Sequence, residues 1–420
     1  MNDLPKALND YLAELDAFIE REIRPLQAQD DNERFFDHRR ENERTDWSRG
    51  GLPHPAWTAL IDEARRRADR AGHYRRGLPR EYGGRGDSHF NLAVIREHLN
   101  AKGLGLHNDA AAEHSVVGNA RLLPAQLVIE YGSAEQKAEL LPLLLDEGKV
   151  MAMAITEPNH GSDATHMETV ARQQGGPGSD WIIDGEKTWN SGVDAASHNM
   201  VFARTSGRAG DARGITAFVV PLNPTPAPGM AVVRFLWTFN MPTDHAHVRL
   251  QNVRVPASAM LGEEGEGLAI AQRFFNENRI RQAAASLGAA QYCIDESVAH
   301  AQARKPFGRP LASNQAIQFP LVELHTQCEM VRALLHKTAR LMDEQGAASQ
   351  GQRVSMLNFW TNRLCCEAAD RAMQVHGGMG WSRHEPFEHI YRHHRRYRIT
   401  EGTEEIQMRR VAGYMFGHMK

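Results

Sequence analysis

The spacing of apolar residues changes twice along this chain of 420 residues, near residue 150 and near residue 263. Before the first change and after the second, apolar residues recur every three or four positions, as in amphipathic helices. Between the two changes, short segments rich in β-branched and aromatic residues alternate with Gly, Pro and Asn, which is typical of strands joined by turns. The sequence therefore predicts a mostly α protein with a central β domain. Its predicted parts are an N-terminal helical domain (1–149), a small antiparallel β domain (150–262) and a C-terminal helical bundle (263–420).

Within this outline the patterns predict individual elements. Pro25 is expected to end the first helix, because proline lacks the N–H that a helix interior needs. The segment from 27 to 55 is highly charged and poor in aliphatic residues, which favours a long surface loop or a mobile helix pair. Helices are predicted over 4–23, 56–75, 88–101, 109–130, 134–147, 265–302, 314–345 and 351–375. Strands are predicted at WIID, NMVFART, ITAFVV, MAVVRF and HVRL.

Charge and cysteine content narrow the class of protein. The formal net charge of −3 gives no global attraction to nucleic acid or anionic lipid, so such a partner would need a local site. Four cysteines, all late in the chain, do not form the pattern of a secreted disulfide framework. No apolar run approaches the roughly twenty residues that span a bilayer, and the first residues show no leader pattern. We therefore expect a cytoplasmic protein that does not bind a membrane.

The run RITEGTEEIQMRR places Glu401 directly before Gly402. A carboxylate beside a glycine suits a base set against a ligand, because a residue without a Cβ lets a substrate approach closely. The alternative interpretation is an ordinary helix start, capped by Thr403 and carrying Glu405 in its first turn. This run alone does not decide between the two.

Four further runs resemble the flavin-dependent acyl-CoA dehydrogenases and follow that family's order. They are MAITEPNHGSD (153–163), DGEKTWNSG (184–192), RKPFGRPLASNQAIQF (304–319) and QVHGGMGW (374–381). Several ordered motifs are far more specific than any one of them. The resemblance implies an acyl-CoA dehydrogenase-like fold with a C-terminal four-helix bundle and FAD between the β domain and the bundle. It also implies a FAD-dependent oxidoreductase acting on CH–CH groups, in fatty acid metabolism.

By this resemblance the first run binds the isoalloxazine of FAD. The backbone around Ile155 and the hydroxyl of Thr156 would face the pyrimidine ring, and Ser162 would lie where the flavin meets the thioester arm of the substrate. Met153 and Gly161 belong to the same cofactor-binding run. The alternative for this run is a strand that ends in a tight turn.

In the second run, Trp189 would lie against the flavin ring system and Ser191 would offer a hydroxyl near flavin N5. The sequence departs from the family here, with Asn190 where isoleucine is common and Ser191 in place of threonine. Asn190 is included among the cofactor-binding residues. The alternative for Trp189 is a tryptophan buried in the core.

The third and fourth runs are assigned by the resemblance to the rest of the cofactor. In the family these positions meet the ADP half and the pyrophosphate of FAD across a subunit interface, so a homodimer would be the minimum unit and a dimer of dimers, a homotetramer, the default. For Arg304 the alternative is an arginine at the surface, and for Gly377 and Gly378 it is the C-cap of a helix. The residues concerned are Arg304, Phe307, Asn314, Gln315, Gln374, Val375, Gly377 and Gly378, and the family pattern adds Thr403 and Glu405.

The resemblance makes Glu401 the catalytic base, which takes a proton from the α-carbon of an acyl-CoA while hydride leaves the β-carbon for flavin N5. The product would be a trans-2,3-enoyl-CoA, with an electron-transferring flavoprotein as electron acceptor. Some relatives carry the base on the long helix, where this chain has Asn278, which cannot act as one. Arg279 and Gly402 are assigned to the substrate site, and a structural ion pair is the alternative for Arg279.

Two other functions stay open at this point. A flavin oxidase or monooxygenase on the same fold would pass its electrons to oxygen. A DNA-binding relative could use the basic run 392–398, since clustered arginines and a tyrosine favour phosphate binding. A metal site at Glu385, His389 and His393 lacks a recognised motif, so we expect no metal and interpret that segment as a surface-exposed basic helix.

Overall fold

The structure, a computed structural model, describes residues 4–109, 114–117, 120–176 and 178–418. In these residues the helices are α1 (Lys6–Phe18), α2 (Arg24–Ala28), α3 (Pro55–Arg70), α4 (His89–Asn100), α5 (Leu123–Tyr131), α6 (Ala134–Leu141), α7 (Gly267–Ala303), α8 (Gln315–Gln345), α9 (Gly351–His376), α10 (Gly378–Trp381), α11 (Phe387–Tyr397) and α12 (Glu404–Met415). The strands are β1 (Thr45–Asp46), β2 (Leu52–Pro53), β3 (Asn108–Asp109), β4 (His114–Ser115), β5 (Val150–Ala154), β6 (Val170–Gln173), β7 (Trp181–Asn190), β8 (Ala196–Arg204), β9 (Ile215–Pro221), β10 (Met230–Phe235), β11 (Ala246–Val255) and β12 (Met260–Leu261).

Pro25 does not end the first helical segment, contrary to the prediction. α1 continues through a π-helical turn, Ile19–Ile23, into α2, and Pro25 lies in the first turn of α2. A proline is tolerated there because the N–H that it lacks has no obligatory partner in a first turn. The chain thus stays helical across a residue that usually stops a helix.

The helix predicted over 109–130 forms only in part. Its end is α5, whereas β3 and β4 form a short antiparallel pair within the predicted range. Residues 110–113 and 118–119 of this prediction lie outside the described residues. The three long helices predicted after residue 263 are confirmed as α7, α8 and α9, each within two residues at either end.

Packing divides the chain into two compact units. The helical unit comprises residues 1–43, 56–119 and 276–420, and the β unit comprises 44–55 and 120–275. N-terminal and C-terminal helices therefore share one core, to which α1, α4, α7 and α9 all contribute buried apolar side chains. The three domain boundaries inferred from the sequence stay a prediction.

The β unit is built on an eight-stranded sheet with the order β10-β11-β7-β6-β8-β9-β12, and β5 pairs with β8. Most pairs are antiparallel, as predicted, and the five predicted strand segments are all present. β5 and β6 run parallel to β8. The parallel β5–β8 pair positions the first run, because β5 ends at Ala154, within that run.

α7 carries the most unusual burial in the helical unit. Seven consecutive residues include six buried polar or charged side chains and one apolar side chain: Asn276, Glu277, Asn278, Arg279, Ile280, Arg281 and Gln282. Polar side chains are rarely buried in this way unless partners satisfy them. This stretch of α7 forms part of the candidate site described below.

All four cysteines, Cys293, Cys328, Cys365 and Cys366, are buried free thiols. Among the described helices, none combines the length and the apolar character needed to cross a bilayer.

Three buried histidines predict that the helical unit loses stability in acid. Burial lowers the pKa of His73 and of His107 to about 4 and that of His394 to about 3. The unfolded chain binds these protons near pH 6.5, before the folded state does, so stability is complete above pH 6.5 and falls as the pH drops towards 4. Each histidine contributes a slope of about 1.4 kcal/mol per pH unit.

Urea unfolding at a series of pH values between 7 and 4.5 would measure this slope. His394→Asn, which keeps a polar nitrogen near the position of Nδ1, should flatten the slope. His325→Asn is the control, because His325 is exposed. An unfolding free energy that stays constant over this range would contradict the prediction.

Candidate active site

Glu401 lies in the loop between α11 and α12 in a strained backbone conformation. Its φ is +57°, which is unusual for a residue with a side chain, and Gly402 follows at +94°. Thr403 caps α12, since its hydroxyl accepts a hydrogen bond from the Ile406 N–H at 3.4 Å. The helix-start interpretation of this run is thus true of Thr403, and the same turn presents Glu401 just before the helix.

Two side-chain amides of α7 hold the carboxylate of Glu401. Asn278 Nδ2 and Gln282 Nε2 both donate to Oε1, the latter at 3.3 Å. Gln282 also lies 3.5 Å from the Thr400 hydroxyl. The position where some relatives carry their base thus holds a hydrogen-bond donor to Glu401.

The backbone of Glu401 is held separately. Arg279 donates from Nε and Nη2 to the Glu401 carbonyl oxygen at 3.0 and 2.5 Å, and Gln407 Nε2 donates to the same oxygen at 2.9 Å. Gln407 also donates to the Gly402 carbonyl at 2.9 Å. These bonds stabilise the left-handed turn that aims the carboxylate. They require a guanidinium and a side-chain amide on two different helices.

Arg279 is buried, and burial together with the nearby charge of Arg410 lowers the pKa of its guanidinium to about 10. The structure therefore shows it supporting the backbone of Glu401. Its assignment to the substrate stays a prediction.

The loop that carries Glu401 is closed by an ion pair between its two flanking helices. Arg398 donates from Nε and Nη2 to the two carboxylate oxygens of Glu404 at 3.0 and 2.9 Å. The Arg398 hydrogen bonds lower the pKa of the Glu404 carboxyl. A bidentate pair of this kind fixes orientation as well as distance.

In the β unit, a buried ion pair joins the first two motif runs. Lys187 Nζ lies 2.8 Å from Glu157 Oε1, and the exposed fractions of the two side chains are 0% and 2%. The ammonium also donates to the Ile155 carbonyl at 3.1 Å. The Thr188 N–H donates to the Thr156 carbonyl at 2.9 Å. The pair thus fixes the chain at Ile155 and Thr156 against β7.

The Glu157 carboxylate is satisfied on all sides. It accepts hydrogen bonds from the backbone N–H groups of Glu168 at 2.5 Å and Thr169 at 2.9 Å. Burial would raise the pKa of Glu157, but the charge and the hydrogen bond of Lys187 outweigh it and lower that pKa. Glu157 and Lys187 are therefore both held in place by contacts with several segments of the chain.

Trp189 and Ser191 present the polar and aromatic surface expected of a flavin site. Trp189 is 52% exposed and has a φ of +57°. Ser191 Oγ lies 2.8 Å from His245 Nδ1, and the rings of Trp189 and His245 are 6.0 Å apart. A large aromatic residue held exposed in a strained conformation is typical of a binding position.

Asn190 differs from its neighbours. Its side chain is fully buried, and its Nδ2 donates to Asn199 Oδ1 on β8 at 3.2 Å. The side chain of Asn190 thus points into the sheet, because alternate residues of a strand face opposite sides. Its assignment to the cofactor stays a prediction.

The other residues of the first run are accessible. Gly161 and Ser162 are exposed at the turn after Glu157, whereas Met153 and Ile155 are half-buried at the end of β5. The structure thus brings the first two runs together at one end of the sheet, which the sequence alone does not show.

The third and fourth runs lie at the surface of the helical unit. Phe307 is fully exposed with a φ of +54°, and Gln374, Gly377 and Gly378 are exposed after the end of α9. Val375 is the exception, because its side chain is buried.

The glycines of the fourth run fit a bound pyrophosphate. A Cβ placed on Gly377 or on Gly378 would meet nothing within 4 Å, so packing within the chain does not require glycine at Gly378. Bare backbone of this kind allows close approach by an anionic ligand. These residues therefore fit the cofactor that the resemblance implies.

The third run and Glu401 lie far apart in one chain. Arg279, which contacts Glu401, is 24 residues before the end of α7 at Ala303. At 1.5 Å per residue this corresponds to about 36 Å along the helix. Arg304 and Phe307 therefore do not serve the place where Glu401 lies.

The basic run 392–398 is not the exposed patch that the DNA-binding interpretation needs. His393, His394 and Tyr397 are buried. Arg392 donates to both carboxylate oxygens of Glu388, and Arg398 pairs with Glu404 as described above. Local charge suggested a surface, but the run combines buried rings with arginines that donate to Glu388, Glu404 and the Tyr397 hydroxyl.

The prediction of an exposed basic helix around His389 is wrong for the same reason. His389 and His393 are 1% and 2% exposed. Burial lowers the pKa of His393 well below its usual value, so this ring is neutral in the folded protein. The described residues contain no group of three or more His, Cys, Asp or Glu side chains arranged to hold a metal ion.

Family models for the acyl-CoA dehydrogenase N-terminal, middle and C-terminal domains match residues 7–148, 152–253 and 265–416. The chain belongs to the acyl-CoA dehydrogenase family. Members are FAD-dependent oxidoreductases acting on CH–CH groups, so the protein is a flavoenzyme of this class, as predicted. The predicted fold class is confirmed as well.

Three known proteins place the chain within the acyl-CoA dehydrogenase family. A 3-(aryl)acrylate reductase of Clostridium sporogenes is 33% identical over 337 residues, which cover 80% of this chain and 85% of that protein. Subunit CarC of the caffeyl-CoA reductase-Etf complex of Acetobacterium woodii is 29% identical over 340 residues, with coverage of 80% and 85%. The structure of glutaryl-coenzyme A dehydrogenase with glutaryl-CoA superposes with a TM-score of 0.78 at 26% identity, covering 99% of this chain and 97% of that chain.

Sequence reasoning missed several residues that hold Glu401 in the helical unit and the first two runs in the β unit. Glu157 and Lys187 lie inside the first two runs. The available signal was an acidic residue in one run and a basic residue in the other, each near the end of an apolar strand. Gln282, Asn358 and Gln407 carried no local signal, because an amide in a helix is usually solvated.

Proposed function

We propose that the protein dehydrogenates an acyl-CoA thioester between its α and β carbons to a trans-2,3-enoyl-CoA, with Glu401 as the base. The observation that carries the proposal is the setting of Glu401. Its carboxylate is held by two side-chain amides, and its strained backbone is held by Arg279 and Gln407. Strain that several groups maintain together is typical of a functional position.

In the proposed reaction the α C–H bond breaks and its proton passes to the carboxylate of Glu401. Bound FAD supplies the acceptor for the hydride that leaves the β carbon. An α-proton of a thioester is weakly acidic, so hydrogen-bond donors have to stabilise the charge that develops on the thioester carbonyl. Residues that would hold FAD are Thr156, Ser162, Trp189, Ser191, Gln374, Gly377 and Gly378.

Anaerobic titration tests this function. The purified FAD-bound protein is mixed with acyl-CoA thioesters of different chain length, branching and terminal group, and its visible flavin absorption is followed. Bleaching by one class supports dehydrogenation and names the substrate class. A flavin that no thioester bleaches would contradict the proposal.

The reverse reaction is a second candidate, because two relatives bear the names of reductases. In that direction Glu401 would deliver a proton to the α carbon of an unsaturated thioester. Chemically reduced protein mixed with 2-enoyl-CoA thioesters, including aryl-substituted ones, would regain its flavin colour. The ratio of the two rates at equal substrate concentration decides which direction is favoured.

An electron-transferring flavoprotein is the proposed partner for the electrons. The support is the relative from the caffeyl-CoA reductase-Etf complex, whose name joins a chain of this family to such a protein. Stopped-flow mixing of the reduced enzyme with a purified electron-transferring flavoprotein, or with oxygen alone, separates the two acceptors. Faster reoxidation by oxygen would favour the oxidase or monooxygenase alternative.

A homo-oligomer that shares its cofactor sites is part of the proposal. Phe307 and Trp381 are exposed at the third and fourth runs, and α8 exposes Phe319, Val322 and Met330. Large apolar side chains grouped in this way usually meet another protein surface. The separation of the third run from Glu401 along α7 supports a site completed by a second copy.

Phe319→Glu should convert the oligomer to monomer and reduce FAD retention, because a buried charge in an apolar interface is costly. Light scattering coupled to size-exclusion chromatography, with the flavin-to-protein absorbance ratio, would measure both. Ala13→Glu, an added acid at an exposed position of α1, is the control and should change neither. A wild-type protein that is monomeric with full FAD content would contradict the prediction.

A further inference from the structure

We propose that Asn278 and Gln282 are positioning residues that keep the Glu401 carboxylate ionised and oriented, each through an amide whose orientation a further buried side chain fixes. This inference rests on the proposed role of Glu401 as base. It assigns a function to the position on α7 that cannot itself act as a base.

The two amides present donor groups to the Glu401 carboxylate. Both amides approach Oε1 of Glu401 through their NH₂ groups. An amide NH₂ is a donor only, so it stabilises a carboxylate oxygen that accepts. Two donors on one oxygen favour the ionised state of the carboxylate over the protonated one.

Asn278 is not free to turn its oxygen towards Glu401. Arg281 donates from Nε and Nη2 to Asn278 Oδ1 at 2.8 and 2.5 Å, so the oxygen end of Asn278 is committed to a cation. A rotated Asn278 would place its NH₂ against the guanidinium, which has no acceptor. Its NH₂ must therefore face Glu401.

The oxygen of Gln282 accepts its hydrogen bond from another helix. Asn358 Nδ2 on α9 donates to Gln282 Oε1 at 3.1 Å, which leaves the Gln282 NH₂ for Glu401 and Thr400. Two hydrogen-bond chains thus end at one oxygen. One begins at Arg281 and the other at Asn358.

Burial makes these contacts strong. Asn278, Gln282, Arg281 and Asn358 are all buried. In a poorly solvated site a hydrogen bond to a charged group is stronger than in water. Hydrogen bonds linked in a series also polarise one another, which strengthens each of them. A fully connected buried network also specifies one geometry, which a base needs in order to meet its proton.

The charged groups around this network are Arg279, Arg281 and Glu277 from α7, Arg410 from α12 and Arg96 from α4. Burial lowers the pKa of Arg279 to about 10 and that of Arg96 to about 9, so both guanidiniums stay charged below pH 8. Burial opposes protonation of His89, yet its hydrogen bonds to Asp343 and Glu277 raise its pKa to about 9. A shift of the acid limb that the Asn278 and Gln282 variants show and the control lacks is therefore assigned to Glu401.

The test compares the pH dependence of anaerobic flavin reduction, at saturating substrate, in FAD-bound wild type, Asn278→Ala and Gln282→Ala. In each variant the acid limb of the profile should move up by about one pH unit, because one charge-assisted hydrogen bond to the anion is lost. Asn278→Asp should move it further, because a carboxylate then replaces the donor. If Asn278→Ala does not retain FAD, Asn358→Leu tests the series of hydrogen bonds that runs through Gln282. The acid limb of the profile should then move by a smaller amount.

Ser286→Ala is the matched control. Ser286 is a fully buried residue one turn further along α7, with hydrogen bonds to Asn362 and His394 and no hydrogen bond to Glu401. It should lower stability without moving the acid limb. A shift in this control as large as that of Asn278→Ala would make the effect a structural one and overturn the inference.

A second readout does not depend on activity. Infrared difference spectra of the carboxylic acid C=O stretch, recorded against pH, would follow protonation of Glu401, with Glu401→Gln identifying the band. Wild type that protonates at the same pH as Asn278→Ala and Asn278→Asp would overturn the inference even if the enzyme is active. If no thioester reduces the wild-type flavin, the proposed function is wrong. The infrared spectrum would still show whether Asn278 keeps the Glu401 carboxylate ionised.

Discussion

Glu401→Gln should leave a folded, yellow protein whose flavin is no longer reduced by the thioester that reduces wild type. Glutamine has the shape of glutamate, and its carbonyl oxygen can still accept from Asn278 and Gln282. The loop and its strained backbone should therefore persist. What is lost is the basic oxygen, and general base catalysis contributes about 10²–10⁴-fold, with complete loss expected where no water can replace it.

Single-turnover reduction under anaerobic conditions measures this effect, since it isolates the proton and hydride steps from reoxidation. Glu367→Gln, the same substitution at an exposed position of α9, is the control and should reduce its flavin at the wild-type rate. Reduction of Glu401→Gln within about threefold of wild type would move the base elsewhere, because such a small effect falls far below the contribution of a general base.

Lys187→Met should have the largest effect on the β unit. The substitution leaves the Glu157 carboxylate buried with backbone donors and no cation, and removing one partner of a buried ion pair typically costs about 3–5 kcal/mol. It also frees the Ile155 carbonyl from the ammonium, so the strand end that carries Thr156 loses its tie to β7. FAD affinity should fall together with stability.

Urea unfolding of the FAD-free protein and fluorescence titration with FAD measure the two effects. Glu157→Gln combined with Lys187→Met should recover part of the stability, because no unpaired charge then stays buried. Arg254→Met is the control. It breaks an exposed ion pair with Asp180 in the same sheet, and such pairs contribute about 0–1 kcal/mol. A loss for Lys187→Met no larger than for this control would be contrary to the prediction.

The basic run 392–398 shows why local composition misleads about burial. Arginines and histidines in succession suggested a surface, and in the free chain they would be solvated. In the fold, α11 turns His393, His394 and Tyr397 into the core. Their burial depends on hydrogen-bond partners such as Ser286, which lies more than a hundred residues before His394 in the chain.

The sequence by itself determined the elements that depend on neighbouring residues. Apolar spacing predicts the long helices α7, α8 and α9, and β-branched segments between turns predict the strands of the β unit. The motif around Glu401 predicts its proposed role as base. These features are local, because helix and strand periodicity and motif spacing are set within a few turns of chain.

Only the tertiary structure decided how the site is held. Asn278 lies 123 residues before Glu401, and Glu157 lies 30 residues before Lys187, so no local pattern connects either pair. Whether an amide donates or accepts, and whether an arginine is paired or solvated, depends on what the packing places beside it. The sequence therefore identified the proposed base, and the packing of α7, α9 and α12 around it decided its orientation, its partners and its strained backbone.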